Sequence, residues 1–198
     1  MGTTVEKNKR EKEQKLYKGA YDLFLEQGIE NTRVDQIAKK AGVAKGTFYL
    51  YFEDKHDLIK KLIHRKSYKL AKEGLEKTRD MHFEKFEDSI IYFINYIIEY
   101  LKENRLMLKI ITKNFSNGLY TDKGDKNLEG IEEVNSILEI FISNLKKKGY
   151  SEEESRLTLY MIIELVGSIA YNSIIFNEPT DIDSIKPILF KKIIGMIN

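Results

Sequence analysis

An all-α fold is predicted, on three observations. Only 2 of the 198 residues are proline. Lys, Glu and Leu, all strong helix formers, abound. Apolar residues return every three or four positions, while strand-like alternation is scarce. The length suits one domain with a full core, or a small domain joined to a larger one. With 42% hydrophobic and 32% charged residues, the chain has an ordinary globular composition.

The first helix is expected over 8–27, where Leu16, Ala20, Leu23 and Phe24 form one apolar stripe and Gly28 follows as the terminating residue. Thr32 is expected to cap a second helix, with Asp35 three residues on in a capping-box arrangement. Val34, Ile37, Ala38 and Ala41 then share a face, and Gly42 breaks the helix. A short helix should cover 44–52. Asp54 caps a long fourth helix over 55–79, with Asp57 at its third position and Leu58, Leu62, Leu70 and Leu75 among its apolar residues. Residues 83–104 contain IIYFINYII, apolar nearly all round and so expected to be buried on most sides. A shorter helix over 105–114 and a Gly/Asn/Asp-rich loop over 115–127 follow. An amphipathic helix over 128–148 ends in Lys146, Lys147, Lys148 and Gly149, with the lysines at its negative end. Ser151 caps a helix running to 177, with Glu154 completing a capping box, and Pro179 stops the chain before a last helix over 184–197.

Composition removes several function classes. There is no cysteine, which excludes disulfides and thiolate metal sites and fits a cytoplasmic location. The start of the chain is charged and lacks the apolar core of a signal peptide. The longest apolar stretch, 157–176, is interrupted by Glu164 and Asn172 and is expected to be a buried protein helix with no membrane role. His56, His64 and His82 lack metal-ligand spacing, and no nucleophile-and-base arrangement stands out, so neither metal, cofactor nor enzymatic activity is expected. The net charge of +2 hides an asymmetry: residues 1–66 carry a balance of +5 and residues 67–198 one of −3. A basic N-terminal segment is the electrostatic footprint of phosphate contact, although a solvated charged surface would look the same.

Residues 32–55 carry the most specific signal. TRVDQIAKKAGVAKGTFYLYFEDK reads as two short helices around a glycine turn, the arrangement that places a second helix in the DNA major groove. Ala44 and Gly46 are small enough to let the backbone approach base edges. Lys45 can reach a phosphate or a guanine, and Thr47 a base or a thymine methyl. Phe48 and Phe52 should face inward, and Tyr49 and Tyr51 sideways toward phosphates. Lys55, at the start of the fourth helix, completes the set with Thr32 and Arg33. Residues 38–58, AKKAGVAKGTFYLYFEDKHDL, resemble the tetracycline-repressor (TetR) family of bacterial regulators, and the preceding LFLEQGIENTRVDQIA is similar to that family's first two helices. The resemblance covers about residues 9–60. Leu50 departs from it, since members often carry His or an aromatic residue there. A DNA-binding domain is expected over 1–54 and an effector-binding and dimerisation domain over 55–198; the flexible basic arm at 1–8, with Lys7 and the following Lys9, Arg10 and Lys12, either reaches along a groove or is a solubilising tail. The resemblance implies a homodimer on a palindromic double-stranded operator, released when a small molecule binds. A helical ligand carrier or enzyme with an incidental helix-turn-helix is the rival reading.

In the second part Tyr92, Tyr96 and Tyr100 recur at i+4 on one helix stripe. With Met107, Phe115, Met161 and Glu164 they either line a mostly apolar effector pocket, suited to an aromatic or lipophilic ligand, or form core with wet hydroxyls. Gly167, Ser168, Tyr171, Ile174, Ile175, Leu189 and Ile193 on the last two helices are expected at a dimer seam, or else complete the protomer core.

Overall fold

The computed structural model describes residues 4–112 and 131–198. Among them every regular element is helical, and contacts divide the chain into two units, Met1–Leu62 and Ile63–Asn198.

The first unit begins with α1, Thr4–Gln27. The helix starts four residues before its apolar stripe suggested, so residues 4–8 of the expected basic arm are helical. Glu6 and Arg10, and Lys9 and Glu13, stand four residues apart in a run of strong helix formers, which favours helix even where nothing packs on it. Helix α2, Val34–Lys40, ends in a Schellman turn: Gly42 sits at φ +69, its N–H bonds Lys39 O at 3.1 Å, and Val43 N–H bonds Ala38 O at 3.0 Å. Helix α3, Lys45–Phe48, is shorter than predicted, because the ladder tightens after Phe48, with Leu50 N–H bonding Thr47 O at 3.2 Å and Tyr51 N–H bonding Phe48 O at 3.0 Å. Helix α4, Lys55–Asp80, opens with the expected cap, Asp57 N–H to Asp54 Oδ1 at 2.8 Å. Leu16, Phe24, Ile37, Phe48, Phe52 and Leu58 form the core of this unit. Gly19 is required by packing: a Cβ there would lie 3.3 Å from Ala41 N and 3.4 Å from Ile37 O, so α1 and α2 touch backbone to backbone.

The second unit contains the rest of α4, then α5 (Phe86–Glu103), α6 (Arg105–Thr112), α7 (Ile131–Lys147), α8 (Glu152–Tyr171) and α9 (Ile182–Met196). The predicted loop over 115–127 lies outside the described residues. The Ser151–Glu154 capping box is present, with bonds of 2.8 and 3.1 Å. Helix α8 runs on into a π-helical turn, Asn172–Phe176, and Asn177 in the left-handed conformation ends it. Helix α9 starts at Ile182, two residues earlier than predicted, because Asp181 accepts from Ser184 N–H at 2.9 Å. Ile98, Leu108, Leu145, Ile162, Ala170 and Ile193 are among the buried core side chains. Two ionic clusters fasten α5: Glu99 and Lys102 to Asp183 and Lys186 of α9, and Glu87 to Lys148.

Candidate nucleic-acid interface

The outer face of α3 is built by exclusion. Phe48 and Phe52 are fully buried, with Tyr17 edge-on to Phe52 at 5.1 Å and Phe48 tilted on it at 5.3 Å. These two anchors fix the roll of the short helix, and Ala44, Lys45, Gly46, Tyr49 and Leu50 are therefore exposed, with Thr47 and Tyr51 half-buried. Lys45 makes no ion pair among the described residues, so its ammonium is free to meet a partner. Tyr49 is 53% exposed and braced edge-on against Phe48 at 5.3 Å. Tyr51 lies tilted on Phe52, and Lys61 holds its carbonyl at 3.3 Å while pairing with Asp57 at 3.0 Å.

Gly46 is the informative residue. A Cβ added there would meet no atom within 4 Å, and its backbone is not in the left-handed region. Neither packing nor conformation within the chain calls for a glycine, which costs a helix about 1 kcal/mol relative to alanine. The space it leaves opens outward.

Two expected contact residues have other work. Thr32 is 1% exposed, and its hydroxyl donates to Gly28 O at 2.7 Å; the cap of α2 is instead Arg33, whose backbone N–H donates to Gln36 Oε1 at 2.8 Å. Thr32 is buried because Gln27 gathers this corner, donating to Thr32 Oγ1, Gln36 Oε1 and Asn31 O at 3.0–3.3 Å. Lys55 turns its ammonium inward to Ile29 O at 2.9 Å and Thr32 O at 3.0 Å, where it ties down the turn before α2. Arg33 itself is exposed and only loosely paired, 3.5 Å from Asp35, a surface contact worth little. Lys39, exposed at the end of α2 and in no ion pair among the described residues, was not singled out from sequence, since nothing in the pattern separates it from Lys40, which pairs with Glu26.

The residues expected around an effector are divided. Tyr92, Tyr96 and Tyr100 are half-buried on α5, and Met107 on α6 is buried. Tyr96 packs so close to α4 that a Cβ at Gly74 would lie 3.0 Å from its ring, and Lys77 stands 5.9 Å from the ring centre. Tyr92 meets Phe83 at 5.3 Å. Phe115 lies outside the described residues. Met161 is 49% exposed on the open side of α8, with the half-buried Glu164 one turn on, so neither faces the protomer interior. Their helix turns Ile162, Val166 and Ala170 inward, and positions 161 and 164 fall on the other side.

The expected dimer residues divide likewise. Gly167, Ser168, Tyr171 and Ile175 reach the surface, and Gly167 has open space where a Cβ would be. Ile174, Leu189 and Ile193 are buried in the protomer core, a correction that follows from the inward faces of the π turn and α9. Helix α8 also exposes Leu157, Tyr160 and Met161. Residues Glu152–Phe176 are long and apolar enough to cross a membrane by length and composition, yet only 28% of the apolar window is buried in the protomer. The expectation of a buried helix therefore holds for one side of it. No group of His, Asp or Glu suited to a metal occurs among the described residues.

Residues 16–62 match the family model described as bacterial regulatory proteins, tetR family. An HTH-type transcriptional regulator of Staphylococcus aureus (strain USA300) is 28% identical over 107 residues, which is 54% of this chain and 57% of that protein, so the chain spans little more than half of the relative's length. The fold resembles that of FadR from Bacillus subtilis in complex with stearoyl-CoA, at TM-score 0.61 and 20% identity over 93% of this chain and 99% of the other. It also resembles Thermus thermophilus FadR, a transcriptional repressor in complex with lauroyl-CoA, at TM-score 0.62 and 18% identity over 93% and 92%.

Proposed function

We propose, from the match of residues 16–62 to the bacterial tetR family of regulatory proteins, that the protein is a ligand-responsive transcriptional repressor acting as a homodimer on a palindromic operator. The observation that carries the DNA reading is Gly46: a helical glycine with nothing around it, flanked by an unpaired Lys45 and an exposed Tyr49. A partner that must approach the backbone of α3 accounts for all three. Lys45 and Thr47 face base edges, Tyr49 and Arg33 meet phosphates, and Ala44 and Gly46 clear the way. Two copies present two α3 helices, one for each half-site of a palindrome whose halves lie roughly 34–36 Å apart. Leu157, Tyr160, Met161, Gly167, Ser168, Tyr171 and Ile175 supply the seam, and Glu164 lies among them.

The effector is a lipophilic small molecule taken up by the second unit near Tyr92, Tyr96, Tyr100 and Met107. Long-chain acyl-CoA thioesters are the first class to assay, since two proteins of the same fold hold them. Helix α4 supplies Leu58 and Leu62 to one unit and Leu70 and Gly74 to the other, so it is the covalent route by which an effector would change the reading heads. A gel-shift with DNA flanking the protein's own gene tests the reading. A specific shift is expected, lost in Lys45→Ala with the dimer intact. Absence of any specific shift, or full affinity in both Lys45→Ala and Thr47→Ala, would count against it.

A further inference from the structure

Leu50 is 77% exposed, the largest exposure of any apolar side chain in the head beyond the first turns of α1. It lies between the two buried anchors, Phe48 and Phe52, and so points directly away from the core. It follows Gly46 by four residues and Thr47 by three, and its own N–H bonds Thr47 O at 3.2 Å, so it extends the face that those two residues begin. No described residue covers it, and a leucine left in water gains nothing.

A leucine on this face has few suitable partners in DNA. It cannot bond a phosphate, and it would strip water from the polar edge of adenine, guanine or cytosine without replacing the lost hydrogen bonds. Only thymine offers an apolar group in the major groove, its C5-methyl. Leu50 lies just beyond the last residue of α3, five residues on from Lys45, so it meets a different base step from the one Lys45 reaches. Gly46, with open space where a Cβ would be, lets the backbone come close enough for a side chain of this length to reach the base. We propose that Leu50 is a specificity-determining residue that packs on the C5-methyl of one thymine in each half-site. The proposal rests on the DNA-binding reading above and adds to it a base preference at one position.

The test separates the two. The full-length protein is used to select sites from a randomised duplex pool, and each thymine of the selected site is then replaced singly by uracil, which pairs identically but lacks the methyl. For the wild type, one replacement per half-site should raise Kd by about threefold to fivefold, the size expected for one methyl returned to water. Leu50→Ala should be indifferent to that replacement while keeping the wild-type response elsewhere, and Leu50→Met, which restores apolar reach, should regain the sensitivity. Thermal melts of both variants should match the wild type, since the side chain is outside the core. An enriched site with no uracil-sensitive thymine, or one whose sensitivity persists in Leu50→Ala, would overturn the assignment of Leu50 alone. A pool that yields no enriched sequence would overturn the DNA-binding reading, and this proposal with it.

Discussion

Gly46 weakens the very helix it sits in. Because no described residue occupies the space beside it, Gly46→Ala should raise protomer stability by about 0.5–1 kcal/mol, while operator affinity falls as the added methyl meets the groove wall. Chemical denaturation and a binding titration on the same preparation check both directions; a stabilised variant with unchanged affinity would remove the functional reason for the glycine. Gly19 gives the opposite outcome. Its missing Cβ is replaced by Ala41 N and Ile37 O at 3.3 and 3.4 Å, and backbone cannot move aside as a side-chain tip can, so Gly19→Ala should destabilise the first unit by about 1–3 kcal/mol, read as a lowered denaturation midpoint. Lys55 belongs at this scale too. Its ammonium is bound to Ile29 O and Thr32 O, so Lys55→Met should cost stability as well as DNA affinity, whereas Lys45→Ala should cost affinity alone.

At the scale of elements, α8 carries apolar residues on both its sides. Ile162, Val166 and Ala170 are buried, while Leu157, Tyr160 and Met161 are open to water. Introducing a charge at Met161, as Met161→Glu, should split the proposed homodimer without unfolding the protomer, seen as a halved mass by light scattering with unchanged helicity. An unaltered dimer would move the seam elsewhere. This helix also marks where the sequence was legible and where it was not. The caps at Ser151 and Asp54, the glycine stop at Gly42 and the inward pair Phe48 and Phe52 were all readable, because each depends on residues within one or two turns. What failed depended on partners distant in the chain. Thr32 looked like a cap until Gln27 and Gly28 O took it into the interior. Ile174, Leu189 and Ile193 looked like seam because apolarity alone cannot tell which side of a helix the rest of the protomer covers. Tyr92, Tyr96 and Tyr100 share a stripe as the spacing required, yet Met161 and Glu164 belong to the far side of another helix.

For the whole molecule, acid should act first on the second unit. The Lys148 ammonium bonded to Glu87, and Lys102 and Lys186 bonded to Asp183, hold both carboxyls below their ordinary values. Groups depressed on folding contribute stability that is fully present above their unfolded values, near 4.5 and 3.8, and is lost as pH falls through the lower folded values. A melting temperature that is flat from pH 7 to about 5 and then declines below about pH 4.5 is expected, with Lys148→Met showing a shallower decline because it has already lost the Glu87 bond. Asp183 is exposed and screened by salt while the Glu87–Lys148 pair is half-buried and screened less, so 1 M salt should flatten the curve in part. The uncovered side of α8 has one more effect, on gene dosage. When reading heads act only in pairs, occupancy of a promoter below the association threshold follows the square of the protein's concentration. Halving expression would then quarter repression, and a few apolar side chains on one helix would set how many copies a cell must make before the switch works at all.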